Sequence, residues 1–460
     1  MALKNHKKFL EDSESVAFDL IHRSTLRYNI SKYNTAVKIG ESRYKNIELA
    51  KDRAAEIKRF VVANLSHYLQ QFETSAVKNG IEVLWAVDSN EAVEHIEKII
   101  KSTGAKKIVK SKSMTSEEIN FNEVFEKMGI ISQETDLGEF IVQKSGEKPY
   151  HIVTPAMHKS RADIAKLFHT LYDTSVDATA SEMTSYVKNI LRSDFETADI
   201  GLTGANFLMA KEGAVGLTEN EGNGLFSVSY PKIHVVLAGI EKLLPSMEYL
   251  NLFWPLLAQH GTGQQVTVYN SLIFGPKKKK ENDGPERMIV ILMDNGRSNL
   301  YSKSAQSEAL SCIRCGACLN ACPIYKNIGG HAYNSVYSGP IGAVIVPHLK
   351  DFDEYKHLSF ASSLCGLCYE VCPVKIDLPQ LLLLNRRDAV ESGKQPMSEK
   401  LLMISAYKLL NSPFLMDLSH HRIKNILMKY VGNSYFGSMR LAPTITQDSF
   451  RKQWKNRYKN

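Results

Sequence analysis

Apolar residues recur at helical intervals along roughly the first seventy positions, and beyond Gly80 short apolar runs alternate with helical ones. Val16, Phe18, Leu20, Ile21 and Leu26 predict a helix over 12–28. Residues 29–42 are mixed in composition and read as a linker. Ile47, Leu49, Ala50, Ile57, Phe60, Val61, Leu65 and Leu69 predict one long amphipathic helix over 46–72, free of Gly and Pro. Strands are then expected at 81–86, 106–109, 130–134 and 151–153. Between and after them come helices at 90–101 with Ser89 as N-cap, from Thr115 onward, at 161–172 and at 181–192. Strands and helices alternating at this spacing predict a mainly parallel sheet covered on both faces.

After Asp199 the pattern changes to strands joined by glycine turns, at 200–204, 207–211, 214–218 and 233–237. A helix over 247–259 should be kinked or shortened by Pro255. Closing strands are expected at 266–273 and 288–293, with the lysine-rich stretch 277–284 as a solvated loop between them. A helix over 378–392 carries Pro379 in its first turn, where proline is tolerated.

These elements divide the 460 residues into a helical arm (1–75), an α/β domain (76–296), a cysteine-bearing helical domain (297–395) and a C-terminal extension, helical and then irregular (396–460). A hydrophobic content of 43% suits a chain with a proper core. No apolar run approaches the roughly 18 residues of a membrane helix, and the charged start has no apolar signal segment. A cytoplasmic protein with reduced thiols is the expectation. The net charge is +8, and the nine cations after His420 (Arg422, Lys424, Lys429, Arg440, Arg451, Lys452, Lys455, Arg457 and Lys459), set against Asp448, account for all of it. Such a tail is either solvated or meets an acidic partner or an anionic membrane surface. It carries no nucleic-acid fingerprint.

The chemistry is concentrated in the seven cysteines, all between Cys312 and Cys372. Cys312-Ile-Arg-Cys315-Gly-Ala-Cys318-Leu-Asn-Ala-Cys322-Pro323 is the C-x2-C-x2-C-x3-C-P run of two-cluster ferredoxins, in which three thiolates hold one iron–sulfur cluster and the fourth reaches the other. Cys365-Gly-Leu-Cys368-Tyr-Glu-Val-Cys372-Pro373 repeats its last three cysteines, and the missing first position falls on Ser362. By the two-cluster rule Cys312, Cys315, Cys318 and Cys372 hold cluster one, and Cys322, Cys365 and Cys368 hold cluster two. Cluster two then has a non-cysteine ligand, an open iron or only three irons. Structural zinc prefers two paired ligand sets, and disulfides favour even counts in oxidising compartments, so neither suits this pattern. The 42 residues between Cys322 and Cys365 exceed what a small β-ferredoxin body holds and point to a helical ferredoxin-like domain.

The cysteine run, with Gly329-Gly-His-Ala-Tyr333, Gly339-Pro-Ile-Gly342 and the stretch from Ser362 to Ile376, closely resembles the lactate-utilisation protein B family. So do Lys110–Glu118, Glu134–Glu139, His151–His158, Gly204-Ala-Asn206 and Asp294-Asn-Gly-Arg297. The resemblance spans nearly the whole chain and is weakest before residue 70 and after 420. It implies a central α/β domain of the lactate-utilisation fold, related to sugar-phosphate isomerases and CoA transferases. It also implies a subunit of a three-protein bacterial complex that oxidises L-lactate to pyruvate, with the other subunits as partners. The family pattern distributes the seven cysteines over two [4Fe-4S] clusters as the spacing does, with three cysteines normal for the second.

Other polar residues are candidates for a ligand site at the strand-to-helix edge: Asp136, Glu139, His151, His158, Asn206, Glu212 and Glu219. They read equally as helix caps and water-facing carboxylates. Lys110-Ser-Lys-Ser-Met-Thr-Ser either holds an anion or is a capped helix start with exposed lysines. Gly261-Thr-Gly263 is a weak phosphate-loop signal, and no dinucleotide or P-loop motif accompanies it. His331 either tunes a cluster or is a loop histidine bound to backbone, while Arg314 adds a cation beside cluster one. Three functions compete: an electron-transfer subunit, a subunit whose α/β domain or open iron acts on a hydroxy acid, and a scaffold with structural clusters.

Overall fold

The computed structural model describes residues 2–393, 397–417, 420–432 and 443–458. They divide into two compact units, Met1–Asp388 and Ala389–Asn460. In the first, ten strands are numbered along the chain: β1 (Glu82–Ala86), β2 (Lys107–Lys110), β3 (Ile131–Glu134), β4 (Ile200–Thr203), β5 (Phe207–Met209), β6 (Ala214–Glu219), β7 (Ile233–Gly239), β8 (Leu243–Leu244), β9 (Tyr269–Ile273) and β10 (Arg287–Met293). Six form a parallel sheet in the order β1-β10-β7-β4-β2-β3. The other four form a smaller sheet, β8-β5-β6-β9, with antiparallel pairing at β5·β6 and β6·β9.

The central strands are continuously apolar because both faces are covered. Strand alternation sends Ile289, Ile291 and Met293 of β10 to one face, where Ile96, Ile100, Phe121 and Phe125 pack on them. Met288, Val290 and Leu292 go to the other, against Leu65, Leu69 and Phe72. The carboxyl ends of these parallel strands share one edge, where doubly wound sheets bind ligands. From it project Lys110–Ser113 after β2, Thr135–Asp136 after β3, Ile240–Lys242 after β7 and Asp294–Arg297 after β10.

Several sequence expectations are revised. Residues 29–42 are not a linker: one helix runs over Leu20–Glu41, started by the Asp19 side chain accepting the His22 N–H at 2.9 Å and anchored by buried Leu26 and Ile30. Gly40 makes its docking possible, since a Cβ there would sit 2.8 Å from the Gly263 carbonyl oxygen. The long helix over 46–72 is two, Ile47–Ala63 and Leu65–Lys78, broken at Asn64 (φ −118, ψ 32). The break lets Ala54 and Ile57 pack into the cysteine region's core while Leu69 and Phe72 cover the sheet. Residues 151–153 form no strand, because the His151 Nδ1 accepts the N–H groups of Val153 (3.1 Å) and Thr154 (3.2 Å) and curls the backbone. Asp88, not Ser89, caps the helix Ser89–Thr103, and Pro255 lies within an intact Leu250–Thr262.

The cysteine region is helical: Ala317–Ala321, Tyr325–Ile328, Gly339–Leu349, Phe352–Tyr355, Leu367–Glu370 and Leu378–Glu391. One core joins Phe9, Leu26 and Ile30 of the arm to Tyr150 and Ile152 and to Cys315, Cys322 and Tyr325. In the second unit, helices span Met397–Leu410, Pro413–Asp417, His421–Leu427 and Phe450–Arg457, and leave Leu401, Tyr407, Phe414, Ile426 and Trp454 exposed. Of the basic tail residues, Arg440 and Lys459 lie outside the described residues. Among the described residues no helix is long and apolar enough to cross a membrane.

Candidate iron–sulfur site

Two loops carry the cysteines, and each is bent by two residues in the left-handed region. Arg314 (φ 61) and Gly316 (φ 80) flank Cys315, and Leu364 (φ 53) and Gly366 (φ 88) flank Cys365. Gly316 is required twice over: its φ favours glycine, and a Cβ there would press on Val153 (3.0 Å) and His151 (3.2 Å). Backbone N–H groups point at sulfur, from Arg314 to Cys312 Sγ and from Ile376 to Cys372 Sγ, both at 3.4 Å. All seven thiols are free; Cys315, Cys322, Cys368 and Cys372 are buried, and Cys365 is exposed.

A small cavity is lined by Cys312, Cys315, Cys318 and Cys372 with Arg314 and Ile152. Burial raises the Cys315 and Cys318 thiols, and proximity to Cys312 and Cys372 raises them further. Cys372 is pushed up to about 11 by burial, with Cys312 adding to it. Cys368 is pushed up to about 12 by burial and then by Cys322 and Cys365, and Cys322 is raised by burial and by Cys365. Cys312 thus raises Cys315, Cys318 and Cys372, while Cys365 raises Cys322 and Cys368. A single tetrahedral zinc would draw four sulfurs to roughly 3.8 Å of one another. Among the described residues, groups whose ligand atoms lie within 4.8 Å of one another include carboxylates and histidines but no cysteine. Among the described residues no three thiols are gathered as closely as a single such ion would require.

A buried ionic network backs the first cavity. Arg314 lies over the Tyr337 ring at 4.4 Å and donates from Nη2 to Glu241 at 3.3 Å, while its buried Nε and Nη1 have no protein partner. Arg297, only 1% exposed, binds Glu241 (2.5 Å) and Glu118 (2.6 Å), and the Tyr337 hydroxyl donates to Glu118 (2.5 Å). Although burial opposes it, Arg297 and Arg314 hold the Glu241 carboxyl far below the ordinary carboxylate range. Unpaired guanidinium N–H groups beside a set of thiolates fit a group carrying net negative charge, as a thiolate-ligated cluster does.

The other sequence candidates separate into distinct places. Lys110 is fully buried and pairs with Glu117 (2.9 Å) and Glu134 (2.6 Å), so it is neither exposed nor available to an outside anion. Asp136 caps Leu137–Lys144 by accepting the Glu139 N–H at 3.1 Å, and takes Lys112 at 3.5 Å. Glu139 is buried with one oxygen unpartnered; burial and then Glu134 raise its carboxyl well above the usual range. Asn206, Glu212 and Glu219 are structural, accepting the N–H groups of Thr218, Met247 and Gly224 respectively. Gly261 lies within the helix Leu250–Thr262, and Gly263 ends it, so this pair forms no phosphate loop. His331 binds the Lys148 carbonyl (2.7 Å) and packs on Tyr150 and His158. His158 in turn binds Glu147 (2.6 Å). Glu147, His22 and Tyr150 were missed in the sequence; short-range patterns do not reveal a group assembled from the arm, the α/β domain and the cysteine region.

A raised carboxyl pKa has a definite stability sign. The folded state binds the Glu139 proton at pH values where the unfolded chain has lost it, so this group's contribution falls as pH rises above the unfolded value. Glu139→Gln mimics the protonated form. Its melting temperature should match wild type near pH 5 and exceed it at pH 8. A pH-independent difference would show that the carboxyl is ordinary.

Residues 69–293 match the family model described as LUD domain, and residues 308–376, which contain every cysteine, match the 4Fe-4S dicluster domain. A protein of Bacillus velezensis named lactate utilization protein B is 44% identical over 360 residues, covering 78% of this chain and 75% of that protein. Its namesake in Bacillus subtilis (strain 168) is 45% identical over the same shares. One from Oceanobacillus iheyensis is 39% identical over 416 residues, 88% of this chain and 87% of that protein. A crystal structure of a DUF162 family protein from Deinococcus radiodurans aligns at 12% identity and a TM-score of 0.28, over 50% of this chain and 98% of that one.

Proposed function

For a chain that belongs to the lactate utilization protein B family, an iron–sulfur protein of lactate utilization, we propose the role of electron-transfer subunit in a complex oxidising L-lactate to pyruvate. Cys312, Cys315, Cys318 and Cys372 would hold one [4Fe-4S] cluster, and Cys322, Cys365 and Cys368 the other. The observation that carries this reading is the cavity lined by the first four, together with the separate mutual influence of the last three. Lactate loses two electrons while a cubane cluster passes one at a time, so two clusters in series release them singly. The remaining subunits would bind lactate and the acceptor. A cytoplasmic location and contact of the basic tail with an acidic partner or anionic surface belong to the same proposal.

Anaerobically purified protein tests it, by iron and sulfide analysis with electron paramagnetic resonance and by lactate oxidation with an artificial acceptor. About eight irons per chain, with lactate oxidation only when the partner subunits are added, is the expected result. Turnover by the chain alone would favour the alternative in which the α/β domain or the open iron acts on the hydroxy acid.

Arg314 gives the electron-carrier reading a second test. A buried cation favours the more negative, reduced cluster. At an effective dielectric near 20 and roughly a nanometre, one charge contributes on the order of 50–100 mV. Arg314→Met should therefore lower the midpoint potential of one cluster by that amount in a redox titration and leave the other unchanged.

A further inference from the structure

The second cysteine loop carries Ser362 where the first carries Cys312, and the structure gives the two residues the same local setting. Each stands three residues before a cysteine flanked by left-handed residues, Arg314 and Gly316 in one loop and Leu364 and Gly366 in the other. A short helix begins immediately after each, at Ala317 and Leu367. Cys312 Sγ accepts the Arg314 N–H at 3.4 Å, and Ser362 Oγ accepts the Leu364 N–H at 3.2 Å. The position is pinned from outside the loop: Arg386 donates to the Ser362 carbonyl (3.1 Å) and to the Ser359 carbonyl (2.9 Å). Ser362 is half-buried, whereas its neighbour Ser363 is exposed.

We infer that Ser362 Oγ is the fourth protein ligand of the cluster held by Cys322, Cys365 and Cys368, a proposal that rests on the two-cluster reading above. Binding is a ligand exchange without electron transfer. The bond from iron to a solvent water breaks, the bond from iron to Oγ forms, and the hydroxyl proton leaves to solvent with the released water. Oxygen is a harder donor than thiolate and suits ferric iron. A serine oxygen also reaches less far than a cysteine sulfur, so this loop must be able to approach its iron. It has the room: a Cβ on Gly366 would meet nothing within 4 Å, unlike one on Gly316.

The full chain, purified anaerobically, provides the test as wild type, Ser362→Ala, Ser362→Cys and Ser363→Ala. After mild oxidation, wild type and Ser363→Ala should keep about eight irons. Ser362→Ala should lose one iron per chain and show the paramagnetic signal of a three-iron cluster. Ser362→Cys should keep its iron while the Mössbauer parameters of one iron site change from oxygen-bound to sulfur-bound. Equal iron retention and spectra in wild type and Ser362→Ala would overturn the proposal, as would wild type losing the iron as readily as Ser362→Ala, or Ser362→Cys leaving the iron spectrum unaltered. Failure of the underlying reading looks different: wild type would contain about four irons, and Cys368→Ala would remove none.

Discussion

Replacing Cys315 by serine should leave the purified chain with about half its iron, the four of one cluster lost and the four of the other retained. Cys315 lies in the cavity shared with Cys312, Cys318 and Cys372, and its thiol is buried there. A hydroxyl is a poor ligand for soft iron–sulfide chemistry, and this loop cannot move to compensate for a shorter side chain. Gly316 already lies where a Cβ would meet Val153 at 3.0 Å and His151 at 3.2 Å. That confinement separates Cys315→Ser from the native serine of the other loop, which has free space around Gly366. Cys368→Ser should give the complementary loss. Iron analysis and the reduced-state paramagnetic spectrum read both, and loss of all iron from either variant would mean that the two sets do not assemble independently.

Arg297→Met should cost about 3–5 kcal/mol, because it leaves Glu118 and Glu241 buried without their main cation. The two carboxylates are 2.6 and 2.5 Å from the guanidinium, at side-chain exposures of 5% and 0%. Arg314, 3.3 Å from Glu241, is the other guanidinium in reach and is itself committed to the cavity lining. Thermal melting of the loaded protein should fall by roughly 5–10 °C. Glu118→Gln in the same chain should restore part of it by removing one of the stranded charges. Lys would be a weak substitute, since a point charge does not reproduce the planar fork that serves both carboxylates. A change within about 0.5 kcal/mol would show that water or rearrangement satisfies the pair and that the network is dispensable.

Local chemistry was legible from residue order alone. Ligand spacing, the glycine inside the first loop and the alternation of strands with helices all act over a few residues, so a mainly parallel sheet and a cysteine-bearing helical region were expected before any coordinates. The helix Arg161–Tyr172 was placed to the residue. The errors arose where distant contacts overrode local composition. Residues 29–42 look like a linker because their own apolar content is thin, yet the helix there is held by packing on segments from far along the chain. Asn64 breaks a continuous helical pattern where burial passes from the cysteine region's core, which takes Ala54 and Ile57, to the sheet, which takes Val61, Leu65, Leu69 and Phe72.

By itself the sequence determined what kind of centre this chain can build: seven thiols in one complete and one incomplete copy of the same spacing, with a serine at the vacant place. Only the tertiary structure decided what surrounds that centre. Glu118, Glu241, Arg297, Arg314 and Tyr337 come from separate elements, and their hydrogen-bonded and ionic pairings span 56 to 219 residues. Apart from Arg314, whose place in the first loop is local, none of them has a local signature, because a buried ion pair is specified by the meeting of surfaces and not by neighbours in the chain. Lys110 and Glu139 read as solvent-facing charges until the β2–β3 edge folds over them. The thiolates' spacing is local and therefore written in the chain, whereas the charge that balances them is long-range and exists only once the sheet edge and the first loop have packed together.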